Sequence, residues 1–198
     1  MFNKILSEQW NSLSPSIQQH YGLEDGEEIN LKGQLAVKHG KFIKLLMPLI
    51  RLTGALVPVE GQCFNVSVLT KREGENYHWC RRFEKDHKVY EFNSVMNLHG
   101  NDVIENVGLR LGIKLRVSER NGGLLYEDKG YVFKVGKQYV PIPLHLLMGK
   151  SVIEEFTLTD NKHDIDMKFV VTHPWFGFMF SYMGYFNVDR TTNEKGEV

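Results

Sequence analysis

A long succession of short strand-like segments, separated by short polar turns, constrains the fold of this chain most. From residue 62 onward, apolar and polar residues alternate in stretches bounded by turn sequences such as Glu73-Gly74-Glu75-Asn76. Separators this short favour antiparallel hairpins, because a parallel crossover needs about a dozen residues or more. The sequence therefore predicts a meander of about eight to ten antiparallel strands. The predicted strands cover residues 29–37, 63–71, 77–84, 89–98, 103–107, 109–118, 124–127, 131–140, 152–159, 165–173 and 178–188.

Two helices are predicted beside this sheet. Residues 7–21 have helical apolar spacing, with a break or a new start at Ser14-Pro15. Residues 41–53 form an almost wholly apolar helix in which Pro48 predicts a kink or a break. A long sheet curls, because curvature or closure removes unpaired edges. We therefore predict an α+β, mostly β fold, a strongly curved antiparallel sheet or near-barrel with the apolar helix on its concave side.

Length and composition limit the classes of protein. The 198 residues predict one domain over residues 1–190 and a disordered polar tail over 191–198. Lys plus Arg and Asp plus Glu each number 24, so no net charge favours nucleic acid as a partner. Cys63 and Cys80 do not face each other in the predicted hairpin, which predicts free thiols and a cytoplasmic location. The sequence contains no uncharged apolar stretch of about 20 residues, so it predicts no transmembrane helix.

Sequence motifs of cofactor and metal chemistry are missing. The eight histidines are scattered without metal-ligand spacing, and no phosphate loop or dinucleotide fingerprint is present. We therefore predict neither a metal nor a cofactor.

Ionic groups lie on the apolar side of two predicted strands. Arg81 alternates with Trp79 and Phe83 in one strand, and Glu105 shares its side with Val103 in another. A charge that faces a core is costly unless it is paired or hydrated. These residues therefore predict a polar cluster inside a β-rich shell.

Glu91 is a second predicted partner of Arg81. A hairpin turn centred near Asp86 places Glu91 across from Arg81, beside Trp79 and Phe83. Such a cluster is expected to anchor the polar head of a ligand, because the forked guanidinium matches a carboxylate or a phosphate. The alternative is an internal Arg–Glu pair that fixes the strand register and binds no ligand.

Residues 173–186 contain seven aromatic residues besides His173. Tyr182 shares one side of this run with Phe180 and Phe186, which predicts either an aromatic wall for an apolar ligand or core packing. His173 continues an apolar side that begins at Ile165. This position is more typical of a hydrogen-bonded core histidine than of a catalyst.

An ordered set of motifs extends over nearly the whole chain. The motifs are Leu13-Ser14-Pro15-Ser16-Ile17-Gln18-Gln19-His20-Tyr21-Gly22, Gly33, Trp79-Cys80-Arg81-Arg82-Phe83, Ile104-Glu105, Gly123-Leu124, Ile142-Pro143-Leu144, His173-Pro174-Trp175-Phe176-Gly177 and Tyr182-Met183-Gly184-Tyr185-Phe186. The set resembles the bacterial family called domain of unknown function 4166. The resemblance implies no activity. In some members of that family the domain follows a Rossmann-type region resembling saccharopine dehydrogenase, which implies a dehydrogenase-like protein partner. No cofactor is carried over, since that region is absent from this sequence.

Three functions are compatible with these residues. The first is a non-enzymatic module that binds a small apolar or amphipathic ligand, anchored by Arg81 with Glu105 or Glu91. The second is an enzyme that uses Glu105 as a general acid or base, with or without His173. The third is an interaction domain that docks to a dehydrogenase-like protein, which would require an exposed apolar patch.

Overall fold

The structure, a computed structural model, describes residues 1–53, 56–158 and 162–189. The described helices are α1 (Phe2–Leu6), α2 (Pro15–Tyr21), α3 (Lys41–Thr53) and α4 (His145–Met148), with a 3₁₀-helix over Ser7–Ser12. The described strands are β1 (Glu28–His39), β2 (Gly61–Glu73), β3 (Asn76–Lys85), β4 (Lys88–His99), β5 (Asp102–Asn106), β6 (Leu111–Arg120), β7 (Gly123–Val135), β8 (Gln138–Ile142), β9 (Lys150–Phe156), β10 (Ile165–His173) and β11 (Gly177–Val188).

Ten of these strands close into an antiparallel barrel. Each strand from β1 to β7 pairs with the next, β7 also pairs with β9, and β11 pairs back with β1. β8 pairs with the second half of β7 and forms a side arm of the ring. The predicted mostly-β fold with a near-barrel sheet is therefore confirmed. Closure leaves the ten strands of the ring without an unpaired edge.

The N-terminal helices cover one end of the barrel, which we call the closed end. The backbone N–H of Ser14 donates to the Gly122 carbonyl in the β6–β7 turn at 2.8 Å. The Tyr77 hydroxyl donates to the Tyr21 carbonyl at 2.7 Å. Phe2 is fully buried, with its ring centroid 4.3 Å from that of Tyr21. The predicted break at Pro15 is confirmed, because the 3₁₀-helix ends before it and α2 begins with it.

Helices α3 and α4 lie at the opposite end of the barrel, because α3 follows β1 directly and α4 precedes β9. We call this the open end. Ile43 and Met47 are buried, whereas Leu45 is 74% exposed. The helix predicted from its almost wholly apolar sequence is therefore only partly buried. Pro48 does not end it, since α3 continues to Thr53. After α3, the Val57 N–H donates to the Tyr182 hydroxyl at 2.8 Å.

The structure also bears on several smaller predictions. The strand predicted from residue 109 begins instead at Leu111, because Gly108, Leu109 and Arg110 have positive φ angles and form a turn. Cys63 and Cys80 are free thiols, as expected. Among the described residues, none of the helices has both the length and the apolar character needed to cross a bilayer. The tail predicted over residues 191–198 lies outside the described residues, as does the end of the strand predicted over 152–159.

Candidate functional site

A cavity of about 310 Å³ lies inside the barrel. Most of its lining is aliphatic or aromatic, from nearly every strand of the ring. The ionisable side chains that line it are Arg81, Glu105, Glu155, His20, Tyr21, Tyr126, Tyr131 and Tyr182. Ligand pockets commonly combine apolar walls with a few fixed polar groups, so this interior is the candidate site.

An ion pair on the cavity wall joins Arg81 to Glu105. The Arg81 Nη2 lies 2.8 Å from the Glu105 Oε1. Arg81 Nη1 donates to the Ser94 Oγ at 2.7 Å, and that hydroxyl donates to Glu105 Oε1 at 2.7 Å. The guanidinium also lies over the Trp79 ring, 4.5 Å from its centroid. This closed triangle of contacts fixes the guanidinium against the wall.

The triangle forms because its three members lie on adjacent strands. β3 pairs with β4 and β4 pairs with β5, with Trp79 opposite Ser94 and Met96 opposite Glu105. Arg81 and Glu105 each alternate with apolar residues that point into the barrel. The prediction that both ionic groups are enclosed on the apolar side is therefore confirmed: 17% of the Arg81 side chain and 9% of the Glu105 side chain remain accessible.

A second polar group lies where the closed end meets the cavity. Tyr21, the last residue of α2, donates its hydroxyl to the Glu155 Oε2 at 2.7 Å. Burial raises the pKa of Glu155 to about 7, against the opposing effects of the Tyr21 hydrogen bond and the Arg81 charge. Tyr126 is also buried, and burial raises the pKa of its hydroxyl well above the usual value. Burial therefore favours the protonated form of Glu155.

His20 lies beside this group and is almost entirely buried. Burial, with a contribution from the Arg81 charge, lowers the pKa of His20 to about 3, so its ring is neutral. Among the described residues, neither His20 Nδ1 nor Trp79 Nε1 has a hydrogen-bond partner. Buried polar atoms without partners are uncommon, and polar groups of a ligand or water can satisfy them.

The buried charged groups of the cavity lie close to one another. Glu155 meets Tyr21 of α2 at the closed end and lies within the electrostatic influence of Arg81 and Glu105. The cavity also has a hydroxyl group toward the open end, because the Tyr182 hydroxyl accepts from the Val57 N–H after α3. Its open end is otherwise lined by aliphatic side chains such as Leu56, after α3, and Leu147 of α4.

The prediction that Glu91 is a partner of Arg81 is wrong, because Glu91 lies on the outer surface of the barrel. The β3–β4 hairpin turns through Asp86 and His87, which places Lys85 opposite Lys88. Glu91 then pairs with Arg82, and Arg81 faces Phe92. A shift of one residue in register moves every side chain to the other face of a strand. Glu91 is exposed and takes no part in the cavity.

His173 is buried but does not line the cavity. Its Nδ1 accepts hydrogen bonds from the backbone N–H groups of Trp175 at 3.1 Å and Phe176 at 3.3 Å. Its Nε2 lies 3.0 Å from the Leu146 carbonyl, so Nε2 carries the proton and donates to it. The ring thus joins the 173–177 turn to α4.

The remaining predicted wall residues divide between the cavity and the surface. Phe83 and Tyr182 line the cavity beside Phe180 and Phe186, in accord with the expected inner side of β11. Trp175, with 76% of its surface exposed, lies in the turn before β11 and is not part of a cavity wall. The aromatic run therefore supplies two different surfaces.

Ser94, Tyr21, Tyr126 and Glu155 are site residues that sequence analysis missed. Glu155 follows Glu154, so a period of two cannot decide which carboxylate faces inward. The signal that favours Glu155 is its shared parity with Ile153, which also lines the cavity. Among the described residues, no group of three or more His, Cys, Asp or Glu side chains could hold a metal ion.

The family model described as Domain of unknown function (DUF4166) matches residues 13–186, and the chain belongs to that family. The match covers all of the barrel except the last two residues of β11, and it includes Arg81, Glu105 and Glu155 of the cavity. Neither a curated protein nor a solved structure shows significant similarity to the chain.

Proposed function

We propose that the barrel interior binds a small amphipathic molecule, with its polar head at the Arg81–Glu105–Glu155 cluster and its apolar body toward the open end. The observation that carries this proposal is the barrel cavity of about 310 Å³, with mostly apolar walls and a buried cluster of charged groups formed by Arg81, Glu105 and Glu155. A protein that needed only stability would gain little from this arrangement, because buried ionic groups are weak stabilisers compared with apolar packing.

The charges of the cluster favour a head group without a net charge. Arg81 is already paired with Glu105, and Glu155 adds further negative charge when it is ionised. An anionic head would meet two carboxylates, whereas a hydroxyl or carbonyl head can accept from the guanidinium and exchange a hydrogen bond with Glu155. The ligand that fits best is a neutral amphiphile such as a long-chain alcohol or ester.

The test uses a fluorescent apolar probe, N-phenylnaphthylamine, and three competitors with the same chain: dodecanol, dodecanoic acid and dodecylamine. We expect dodecanol to displace the probe at the lowest concentration. The double variant Arg81→Met/Glu105→Gln removes the ion pair without leaving an unpaired charge. Its affinity for dodecanol should fall by about tenfold or more, the effect of losing a hydrogen bond to a charged group.

A matched control lies on the same strand. Arg82 and Glu84 form an ion pair on the outer face, with an Nη2–Oε1 distance of 2.7 Å. The double variant Arg82→Met/Glu84→Gln should therefore bind dodecanol as the wild type does. If the wild type binds none of the three competitors, or if both double variants bind dodecanol equally to the wild type, the Arg81–Glu105 pair only fixes strand register and the proposal is wrong.

A second candidate function is catalysis, and one observation favours it. Glu155 faces the barrel cavity, and burial raises its pKa to about 7. A carboxyl group with a pKa in this range can both accept and donate a proton near neutral pH. Glu155 is better suited to this role than Glu105, whose Oε1 is engaged by Arg81 and Ser94. Native mass spectrometry of the wild type and of Glu155→Gln tests this: an enzyme would retain different molecules in the two proteins, and a binding module the same one.

A further inference from the structure

The open end carries an exposed apolar surface, which we call the mouth patch, formed by Phe42, Leu45, Leu146, Trp175 and Phe176. Trp175 and Leu45 are 76% and 74% exposed, and Leu146 is 57% exposed. Isolated exposed apolar residues are common, but a contiguous group of large ones indicates a surface that contacts something apolar.

Contacts join the three separate elements that carry the patch. The rings of Phe42 in α3 and Phe176 in the 173–177 turn are stacked, with centroids 3.7 Å apart. His173 holds this turn through two backbone N–H groups and reaches the Leu146 carbonyl of α4 at 3.0 Å. The buried histidine thus positions aromatic and aliphatic side chains that themselves remain exposed.

The mouth patch lies directly outside the cavity. Leu146 is exposed, whereas the next two residues of α4, Leu147 and Met148, line the cavity. Leu56, which follows α3, lines it as well. An apolar molecule leaving or entering at this end would therefore pass next to the patch.

The charged residues in the segments that form the patch are lysines. Residues 36–48, 144–150 and 171–180, which contain the patch, include Lys38, Lys41, Lys44 and Lys150 and no aspartate or glutamate. Lys44 is paired with Glu60, and the other three lysines are exposed. At the closed end, by contrast, residues 24–28 contain four carboxylates.

Exposed tryptophan, phenylalanine and leucine surrounded by lysines match the interface of an anionic bilayer. Aromatic rings are enriched at the level of the headgroups, and each nearby lysine adds attraction to anionic lipid. A protein interface fits less well, because its core is depleted of lysine. We propose that the mouth patch docks on the surface of an anionic phospholipid membrane and places the opening of the cavity against the lipid.

Vesicle flotation with unliganded protein tests this proposal independently of ligand binding in the cavity. We expect the wild type to float with vesicles of equal parts phosphatidylcholine and phosphatidylserine, and much less with phosphatidylcholine alone. The double variants Trp175→Ser/Phe176→Ser and Lys41→Glu/Lys150→Glu should each bind the anionic vesicles at least about tenfold more weakly. N-phenylnaphthylamine binding by both variants should equal that of the wild type, which shows that the barrel is intact.

The matched control reverses two lysines at the closed end, Lys4→Glu/Lys71→Glu, and should float as the wild type does. If this control and the Lys41→Glu/Lys150→Glu variant float equally, and both float less than the wild type, the proposal of a specific docking face is wrong. No flotation of the wild type would overturn the proposal. If the wild type instead self-associates in gel filtration and Trp175→Ser/Phe176→Ser does not, the mouth patch is an interface between protein copies and the membrane proposal is also wrong.

Discussion

The N-terminal helices bury Phe2 and Tyr21 at the closed end of the barrel, whereas α3 and α4 leave Leu45 and Leu146 exposed at the open end. The closed end also holds the buried Tyr21–Glu155 hydrogen bond, and its surface segment 24–28 is acidic. The open end has aliphatic side chains in its cavity wall and exposed lysines on its surface. Under the proposed function, the difference corresponds to a division of roles: contacts at the closed end and on the inner wall hold the fold together, and the open end serves exchange with the surroundings.

Two phenylalanines provide the sharpest test of this division. Phe2→Ala should lower the free energy of unfolding by about 3–5 kcal/mol, because Phe2 is fully buried and the helices cannot fill the space. Phe176→Ala removes a phenyl ring from the open end, where Phe176 is 47% exposed, and should lower the free energy of unfolding by about 1 kcal/mol or less. Urea denaturation followed by circular dichroism measures both. Equal losses would show that the open end contributes as much to stability as the closed end.

Two ion pairs give a second matched test. Arg81→Met leaves Glu105 enclosed without its partner and should lower the free energy of unfolding by about 3 kcal/mol, while Arg81→Met/Glu105→Gln should recover most of this loss. At the open end Lys44 pairs with Glu60, with 54% and 42% of the side chains accessible. Lys44→Met should change the free energy by less than about 1 kcal/mol. A double variant no more stable than Arg81→Met would show that the guanidinium stabilises the wall by packing on Trp79 rather than by pairing.

Opposed titrations at the closed end give a smaller effect. The pKa of Glu155 is raised from 4.5 to about 7, so its contribution to stability falls as pH rises through this range. The pKa of His20 is lowered from 6.5 to about 3, so its contribution rises with pH between those values. Between pH 4.5 and 6.5 the two effects oppose each other in the wild type.

Single variants should separate the two titrations. Relative to the wild type, Glu155→Gln should gain stability with rising pH in this window by about 1.4 kcal/mol per pH unit, the value for one proton. His20→Gln should lose stability by a similar amount. Urea midpoints across the window measure both slopes. Parallel curves for the wild type and the two variants would show that neither group titrates as its burial implies.

Much of the inner wall was predictable because alternation in a strand fixes which side chains share a face. Trp79, Arg81 and Phe83 lie inside as expected, and so does Glu105. Glu91 was misplaced because the register of a hairpin depends on its turn. Asp86 and His87 adopt φ angles of 49° and 62°, which suit a two-residue turn, but Asp-His lacks the glycine that usually signals one.

The rest of the site depends on contacts that no local pattern contains. Tyr21 reaches Glu155 across 134 positions in the chain, and this contact exists only because α2 covers the end of the finished ring. His173 has the parity of the inner residues of β10, but it is the last residue of that strand, and its ring bonds to the backbone of the following turn and of α4. Alternation predicts the face of a side chain, but it does not show where along the barrel axis the cavity ends.

The seam between β1 and β11 has a kinetic consequence. All neighbours from β1 to β7 are adjacent in sequence, whereas the seam pairs Leu31 with Val188 and His39 with Phe180. Joining such distant segments costs the most chain entropy, and contacts of large sequence separation slow folding. Hairpins can therefore form first and independently, and the ring closes last. Refolding from denaturant should show this closure as its slowest step, and the cavity forms only at that moment.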